Sequence, residues 1–335
     1  VDWTLAAAAL GIGIVVGLTG MGGGALMTPV LVLFFHVTPL AAVSSDLVAS
    51  AVMKPVGSVV HLRNGTVRLD LVRWLCVGSI PAAFAGVLLA RALGHGTNVD
   101  DLIQKALGVA LIIAAAGLFL RAYLRLAERA RHRDGHRAAD PAGPPDVVVR
   151  PLPTVVIGAV GGVVVGMTSV GSGSLIIIAL MFLYPALRAS SLVGTDLVQA
   201  VPLVASAALG HILFGDLKLG VTGALLVGSI PGAFIGAQLS SRLPGALIRR
   251  ALAFVLLASA LKLLGASTFV TAVVLGVLLV LAGPAWMVLR RAHGFPARPS
   301  REPAAEGPGS SDSLGGDAED VLGPDELGER PQWSR

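Results

Sequence analysis

Apolar runs closed by Gly, Pro, Asn or charged residues divide the chain into segments at approximately 4 to 20, 24 to 36, 40 to 62, 68 to 93 and 101 to 124. After a polar stretch the runs resume at 152 to 169, 174 to 186, 190 to 213, 219 to 242, 248 to 264 and 269 to 291. None alternates as a half-buried strand does, and backbone facing lipid must satisfy its own hydrogen bonds, so all are read as helices. The segments 24 to 36 and 174 to 186 differ from the rest: about 13 residues make roughly 20 Å of helix, short of the roughly 30 Å of a hydrocarbon core. Each follows a glycine-rich break, Gly20-Met21-Gly22-Gly23-Gly24 or Val170-Gly171-Ser172-Gly173-Ser174. Each break is expected to be the tip of a helical hairpin, re-entrant or fully spanning.

The two series of segments match in sequence. Asp46 aligns with Asp196, His61 with His211, Gly65 with Gly215, and Gly78-Ser79-Ile80-Pro81 with Gly228-Ser229-Ile230-Pro231, all at one offset. Upstream, Gly17, Gly22 and Gly24 match Gly166, Gly171 and Gly173 after a one-residue gap. This is an internal duplication, a frequent mark of secondary transporters. A hairpin followed by about three single crossings gives each repeat an odd count, which inverts the second repeat relative to the first.

The basic residues give an independent test of that inversion. Arg63, Arg68, the run from Arg121 to Arg137, Arg188, Arg242, Arg249, Arg250, Arg290 and Arg291 fall on one expected face, and only Arg91, Lys105, Lys218 and Lys262 on the other. The positive-inside rule makes the first face cytoplasmic, with an external N-terminus and a cytoplasmic C-terminus. The expected organisation is a first transmembrane repeat over 1–126, a basic cytoplasmic linker over 127–150, and a second repeat over 151–265. An additional helix follows over 266–294 and an acidic tail over 295–335, and linker and tail are both expected to be disordered. The opening apolar run lacks a basic flank and is not read as a signal peptide.

Composition agrees with this class. Hydrophobic residues make up 54% and charged residues 13% of the chain, with a mean hydropathy of +0.80, against about 25% charge in a soluble domain. The net charge of +5 lies in loops, and with four Trp and two Tyr no stacking surface for nucleic acid is expected. The single cysteine, Cys76, can form neither an intrachain disulfide nor a cysteine metal cluster. No phosphate loop, HExxH or GxSxG occurs, so no enzyme activity, cofactor or metal is expected.

Candidate chemistry lies at the breaks and in the helices behind them. A helix interrupted within the membrane presents free N–H groups and a positive dipole end, which suit an anion. Gly22, Gly23, Gly24, Gly171, Ser172, Gly173 and Ser174 would supply such donors, while Thr19, Thr168 and Ser169 add hydroxyls. The alternative is that these glycines only permit close helix packing. Asp46 and Asp196 lie about two turns into apolar helices, where an ionised carboxylate costs about 2.5 to 3.5 kcal/mol or more. They are candidates for proton coupling or gating, or else bond to nearby backbone. Lys54 precedes Pro55 in mid-helix and is a partner for Asp46, for the substrate, or for neither. His61 and His211 are proton-relay candidates, with capping or interfacial contact as the alternative.

The cluster Gly20-Met21-Gly22-Gly23-Gly24 leading to Thr28-Pro29, the Ala42-Val43-Ser44-Ser45 run, the His61 to Gly65 helix end and Gly78-Ser79-Ile80-Pro81 resemble the TauE/SafE sulfite exporter family of membrane transporter proteins. The resemblance covers about residues 4 to 265. It implies a plasma-membrane permease of two repeated units whose substrates centre on sulfite, sulfonates and other sulfur-containing anions. Where the family's usual run is Gly-Thr-Ser, this chain has Ser44-Ser45-Asp46 and Gly194-Thr195-Asp196. The expectation is an all-α polytopic transporter in a bacterial-type inner membrane, moving a small anion with protons as the candidate coupling ion. A passive channel, a membrane enzyme and a non-transporting role are the alternatives.

Overall fold

The computed structural model describes residues 2–19, 23–63, 65, 67–92, 97–133, 147–187, 189–215, 217–239 and 245–292. Residues 1–297 form one compact unit, and residues 298–335 lie outside the described residues, with them most of the expected acidic tail. Among the described residues eleven helices and no strand form. They are α1 (Trp3–Thr19), α2 (Gly24–Phe34), α3 (Pro39–Arg63), α4 (Leu69–Ala92), α5 (Thr97–Arg133), α6 (Pro151–Thr168), α7 (Leu175–Leu183), α8 (Ala189–Phe214), α9 (Leu219–Leu239), α10 (Gly245–Leu263) and α11 (Thr268–Ala292). Helices α4, α6, α8 and α9, together with the Asp100–Leu120 part of α5, are long and apolar enough to cross a membrane. The start of α1 is capped by a side chain: Asp2 Oδ1 accepts from the Thr4 N–H at 2.9 Å and from the Thr4 hydroxyl. The Thr4 hydroxyl, then the Leu5 N–H, holds the Asp2 carboxyl below its usual range.

The two short segments are shorter still than the pattern suggested. α2 has 11 residues and α7 has 9, roughly 16 Å and 14 Å of helix, so neither crosses a bilayer alone. The expected linker needs a correction at its start. α5 continues to Arg133, because the Ala- and Arg-rich stretch after residue 126 is made mostly of good helix formers that need no apolar face. Residues 147–150 are not helical, with Arg150 extended, and residues 134–146 of the linker lie outside the described residues.

Packing is reciprocal between the halves. α1 lies chiefly along α9, and its counterpart α6 lies chiefly along α4; α3 pairs with α8, and α5 with α10. Each half thus completes the other. The two long contacts, α1 with α9 and α6 with α4, are made by glycine. A Cβ on Gly158, Gly162 or Gly166 would run into the α4 carbonyls of Leu75, Ser79 or Ala83, and one on Gly228, Gly232 or Gly236 into those of Ala6, Leu10 or Ile14. The one-turn spacing lets two backbones approach directly, the arrangement that replaces the hydrophobic drive where lipid is the solvent.

This distinction between glycines is testable. At Gly162 a Cβ would sit 2.5 Å from Ser79 O, whereas at Gly220 nothing lies within 4 Å. Gly162→Leu is expected to lower the stability of the detergent-solubilised protein by about 1 to 3 kcal/mol or more. Gly220→Ala is expected to leave it unchanged or raised by up to about 1 kcal/mol, since only helix propensity changes. Melting followed by gel filtration measures both.

Polarity is turned inward. Phe34, Leu152, Phe182, Leu219 and Phe234 are exposed, while Ser44, Ser45, Asp46, Ser50, Thr195, Asp196, Gln199 and His211 are buried. Lipid can cover the first set but cannot solvate the second. The interior polar groups therefore have to satisfy one another or hold a solute.

Candidate functional site

Asp46 stands on α3 behind the first break. Its Oδ2 accepts from the Thr28 hydroxyl of α2 at 3.0 Å and from the Ser169 hydroxyl at the opposite hairpin tip at 2.5 Å. Ser169 is the left-handed C-cap of α6, with φ 59°, and a Cβ on Gly24 would overlap its carbonyl. The two tips therefore touch, and one carboxylate fastens them. Gly23 is the buried N-cap of α2, and a Cβ there would lie 3.7 Å from both Asp46 Oδ1 and Ser50 Oγ, an ordinary contact distance. Thus Gly24 is required by packing, and Gly23 is not. Gly22 and the side chain of Thr19 lie outside the described residues.

The second tip is differently built. Gly171 and Gly173 have φ of 131° and 94° and pair with each other across the turn, a conformation that residues with a Cβ rarely adopt. The N–H groups of Ser174, Leu175 and Ile176 all point to Gly171 O, at 3.3, 3.0 and 3.4 Å. The Ser174 N–H, expected to face an anion, is thus engaged within the turn together with the two that follow it. The Thr168 hydroxyl is likewise spent on backbone, donating toward Val164 O at 2.6 Å and Val170 O at 3.1 Å. Ser174 is buried at the α7 N-cap and makes no side-chain cap bond. Ser172 faces a charge instead: Lys54 Nζ donates to its Oγ at 2.5 Å.

Lys54 is the buried ammonium of this interior, 8% exposed. The carboxylates of Asp196 and, more weakly, Asp46 attract it. Among the described residues no ion pair joins it to Asp46; the pair present is Arg68 with Asp70 at 2.7 Å. The Lys54 hydrogen bond does not go to Asp46, the partner named first from sequence. It goes to the hairpin tip where a substrate was expected.

His211 is wholly buried and ties three helices together. Its Nε2 lies 2.8 Å from Gly166 O, so Nε2 carries the hydrogen and donates, and its Nδ1 lies 2.8 Å from Ser44 Oγ. The Ser44 hydroxyl is also 2.8 Å from Leu40 O. One hydroxyl proton serves either Leu40 O or a neutral ring's Nδ1, so the site can accommodate a ring carrying one proton or two. This is neither the cap nor the interfacial contact that its place near Gly215 suggested. His61, its counterpart, is half-buried. Removing the ring in His211→Ala orphans two buried partners and is expected to cost about 1 to 3 kcal/mol, checked by melting in detergent.

Several interior groups escape sequence reasoning because a lone hydroxyl or amide in an apolar helix carries no spacing signal. Gln199 Nε2 donates to Ser79 Oγ at 2.8 Å, and Ser58 Oγ donates to Leu197 O at 2.9 Å. Thr28 and Ser50 join them. Gln199 sits one turn beyond Asp196 on α8, and that position was the available hint.

Comparison with known proteins agrees with this architecture. A family model described as Sulfite exporter TauE/SafE matches residues 5–263. The chain is 36% identical over 212 residues to "Probable membrane transporter protein YjnA" of Bacillus subtilis (strain 168), covering 62% of this chain and 77% of the relative. It is 25% identical over 206 residues to "Probable membrane transporter protein YdhB" of the same organism, covering 61% and 76%. No solved structure matches.

Proposed function

The chain belongs to the sulfite exporter TauE/SafE family and is a multi-pass membrane transporter, and from that premise we propose that it carries a small sulfur-containing anion, such as sulfite or an organosulfonate, by alternating access. The observation that supports this reading is the buried Lys54 donating to Ser172 at a hairpin tip, with Asp196 and Asp46 behind it. An arriving oxyanion can take the ammonium from the Asp196 carboxylate and accept the Ser172 hydroxyl as well. Charge-assisted bonds of this kind are the stronger ones, and in a dry interior they operate with little screening. Engaged donors at the second tip leave the lysine, rather than the helix end, as the main attraction.

The membrane is a bacterial-type inner membrane in this proposal, with the N-terminus external, the C-terminus cytoplasmic and the two repeats inverted, as the distribution of arginine argues. Reciprocal pairing of α1 with α9 and α6 with α4 is what two halves related by a two-fold axis would make, and rocking at the glycine-lined contacts would expose the interior to either side. Transport is coupled to a cation, because a buried interior that already holds the carboxylates of Asp46 and Asp196 does not accept a further anion readily. Radiolabelled sulfite, thiosulfate, sulfate and a short sulfonate, offered to proteoliposomes under imposed ion gradients, test this. Saturable, gradient-dependent flux of one of them is the expected result. Flux of none, with folded and inserted protein verified, removes the proposal.

A further inference from the structure

We infer that the space bounded by Asp46 Oδ1, Ser50 Oγ and Gly23 is a binding site for a monovalent cation, Na+, which serves as the coupling ion; the inference rests on the transporter reading above. Four observations converge on it. Asp46 is 1% exposed, and among the described residues no group lies within hydrogen-bond distance of its Oδ1, although the Ser50 hydroxyl is nearby and Oδ2 has two partners. A buried carboxylate oxygen left in this way is costly unless something electropositive meets it. Oδ1 is aimed at the face of Gly23, where a Cβ would be 3.7 Å from both Oδ1 and Ser50 Oγ.

The donor set suits a hard, singly charged ion. The hydroxyls of Thr28 and Ser169 give their protons to Oδ2 and keep lone pairs, and the Ser169 carbonyl lies beside Gly24. One carboxylate with several neutral oxygens is oxygen ligation of a hard cation. One carboxylate, Asp46, beside neutral hydroxyls supplies a single negative charge, which matches a monovalent ion. A proton needs one acceptor, and this site supplies several.

Charge count and symmetry agree. The buried charged side chains among the described residues are Asp46, Asp196 and Lys54, and Asp46 is the one whose free oxygen faces a space that an ion could fill. At the offset that matches Gly24 with Gly173, Thr28 aligns with Ile177 in the other repeat, so the hydroxyl set around Asp46 is not duplicated around Asp196. One cation per chain is therefore expected. Its binding would neutralise Asp46 and make the interior more receptive to the anion at Lys54, and by linkage the anion would tighten the cation equally.

Binding is measured separately from flux. Purified full-length protein is titrated with 22Na+ in choline chloride, and its melting is followed in NaCl, KCl and choline chloride at constant ionic strength. Saturable 22Na+ binding and an upward shift of the melting midpoint in NaCl alone are expected. Gly23→Ala fills the space with a methyl that clashes with nothing, so it should fold and melt normally in choline yet bind Na+ at least about 10-fold more weakly; Ser50→Ala should weaken it in the same direction. Absence of saturable Na+ binding by folded protein overturns the inference, as does Na+ binding unchanged in both variants. Anion flux driven by a pH gradient and indifferent to Na+ overturns it while the transporter reading stands. Na+ binding abolished by Gly23→Ala in a protein that moves no anion would keep the cation site and remove the transporter reading.

Discussion

Replacing Lys54 with Met is expected to reduce saturable anion flux at sub-saturating substrate by about 10- to 150-fold, the equivalent of losing a charge-assisted hydrogen bond of about 1.5 to 3 kcal/mol. The side chains are similar in length, so Met fills the same buried volume in α3 and the packing change is small. Charge is what is lost. Asp196 would then lose the attraction of that ammonium, and a buried carboxylate that loses a cation is destabilised. The double variant Lys54→Met with Asp196→Asn separates the two effects: it should recover thermal stability relative to Lys54→Met but not recover flux. Lys54→Arg keeps the charge, but its planar fork is longer and differently aimed than an ammonium on Ser172. Partial flux is expected from it. Initial-rate measurements in proteoliposomes, with melting of the same preparations, check all three.

The second large effect is expected at Gly24. Its missing Cβ is filled by the backbone of Ser169: the position lies 2.8 Å from Ser169 Oγ and 2.9 Å from Ser169 C, and it overlaps the carbonyl oxygen. Gly24→Ala must therefore push the two hairpin tips apart, and in doing so it pulls the Ser169 hydroxyl from Asp46. About 1 to 3 kcal/mol of stability should go with the overpacking, and flux should fall to background. Gly23→Ala is the control one residue away. Its methyl fits at 3.7 Å from the nearest atoms, so it should fold. If Gly24→Ala melts and transports like the unaltered protein, the contact between tips does not carry the function assigned to it.

What could be read before the structure, and what could not, follows from the kind of signal each feature leaves. Membrane helices are long apolar runs, and α4, α6, α8 and α9 begin and end within a few residues of the runs that mark them. The breaks at residues 20–24 and 170–174 are equally legible, since glycine clusters between apolar runs have few other uses. The acids at 46 and 196 stand out because a carboxylate in an apolar helix is expensive. Partnership leaves no such trace. That Asp46 reaches the tip of the other repeat through Ser169, or that Lys54 reaches Ser172, depends on bringing residues more than a hundred positions apart together. His211 shows the same limit: its neighbours Ser44 and Gly166 come from two other helices, and nothing in the local run around Gly215 points to them. Glycine also carries two messages that sequence does not separate. Gly171 and Gly173 serve a backbone conformation, whereas Gly158, Gly162 and Gly166 serve close approach of helices.

The helix α11 lies beyond the matched residues and contacts α10. Phe269, Leu279, Val280 and Val288 on it are exposed, as expected of a surface that lipid covers.

The central claim, a carrier that takes an anion at Lys54 and alternates its access, is tested most directly by counterflow. Proteoliposomes are loaded with millimolar unlabelled sulfite and diluted into trace radiolabelled sulfite, with the membrane potential clamped by potassium and valinomycin. A carrier is expected to accumulate label transiently above equilibrium, and Lys54→Met vesicles holding folded protein should not. Label that only equilibrates, at a rate indifferent to internal sulfite, would mark an open channel for this anion, and accumulation unaltered by Lys54→Met would contradict the site.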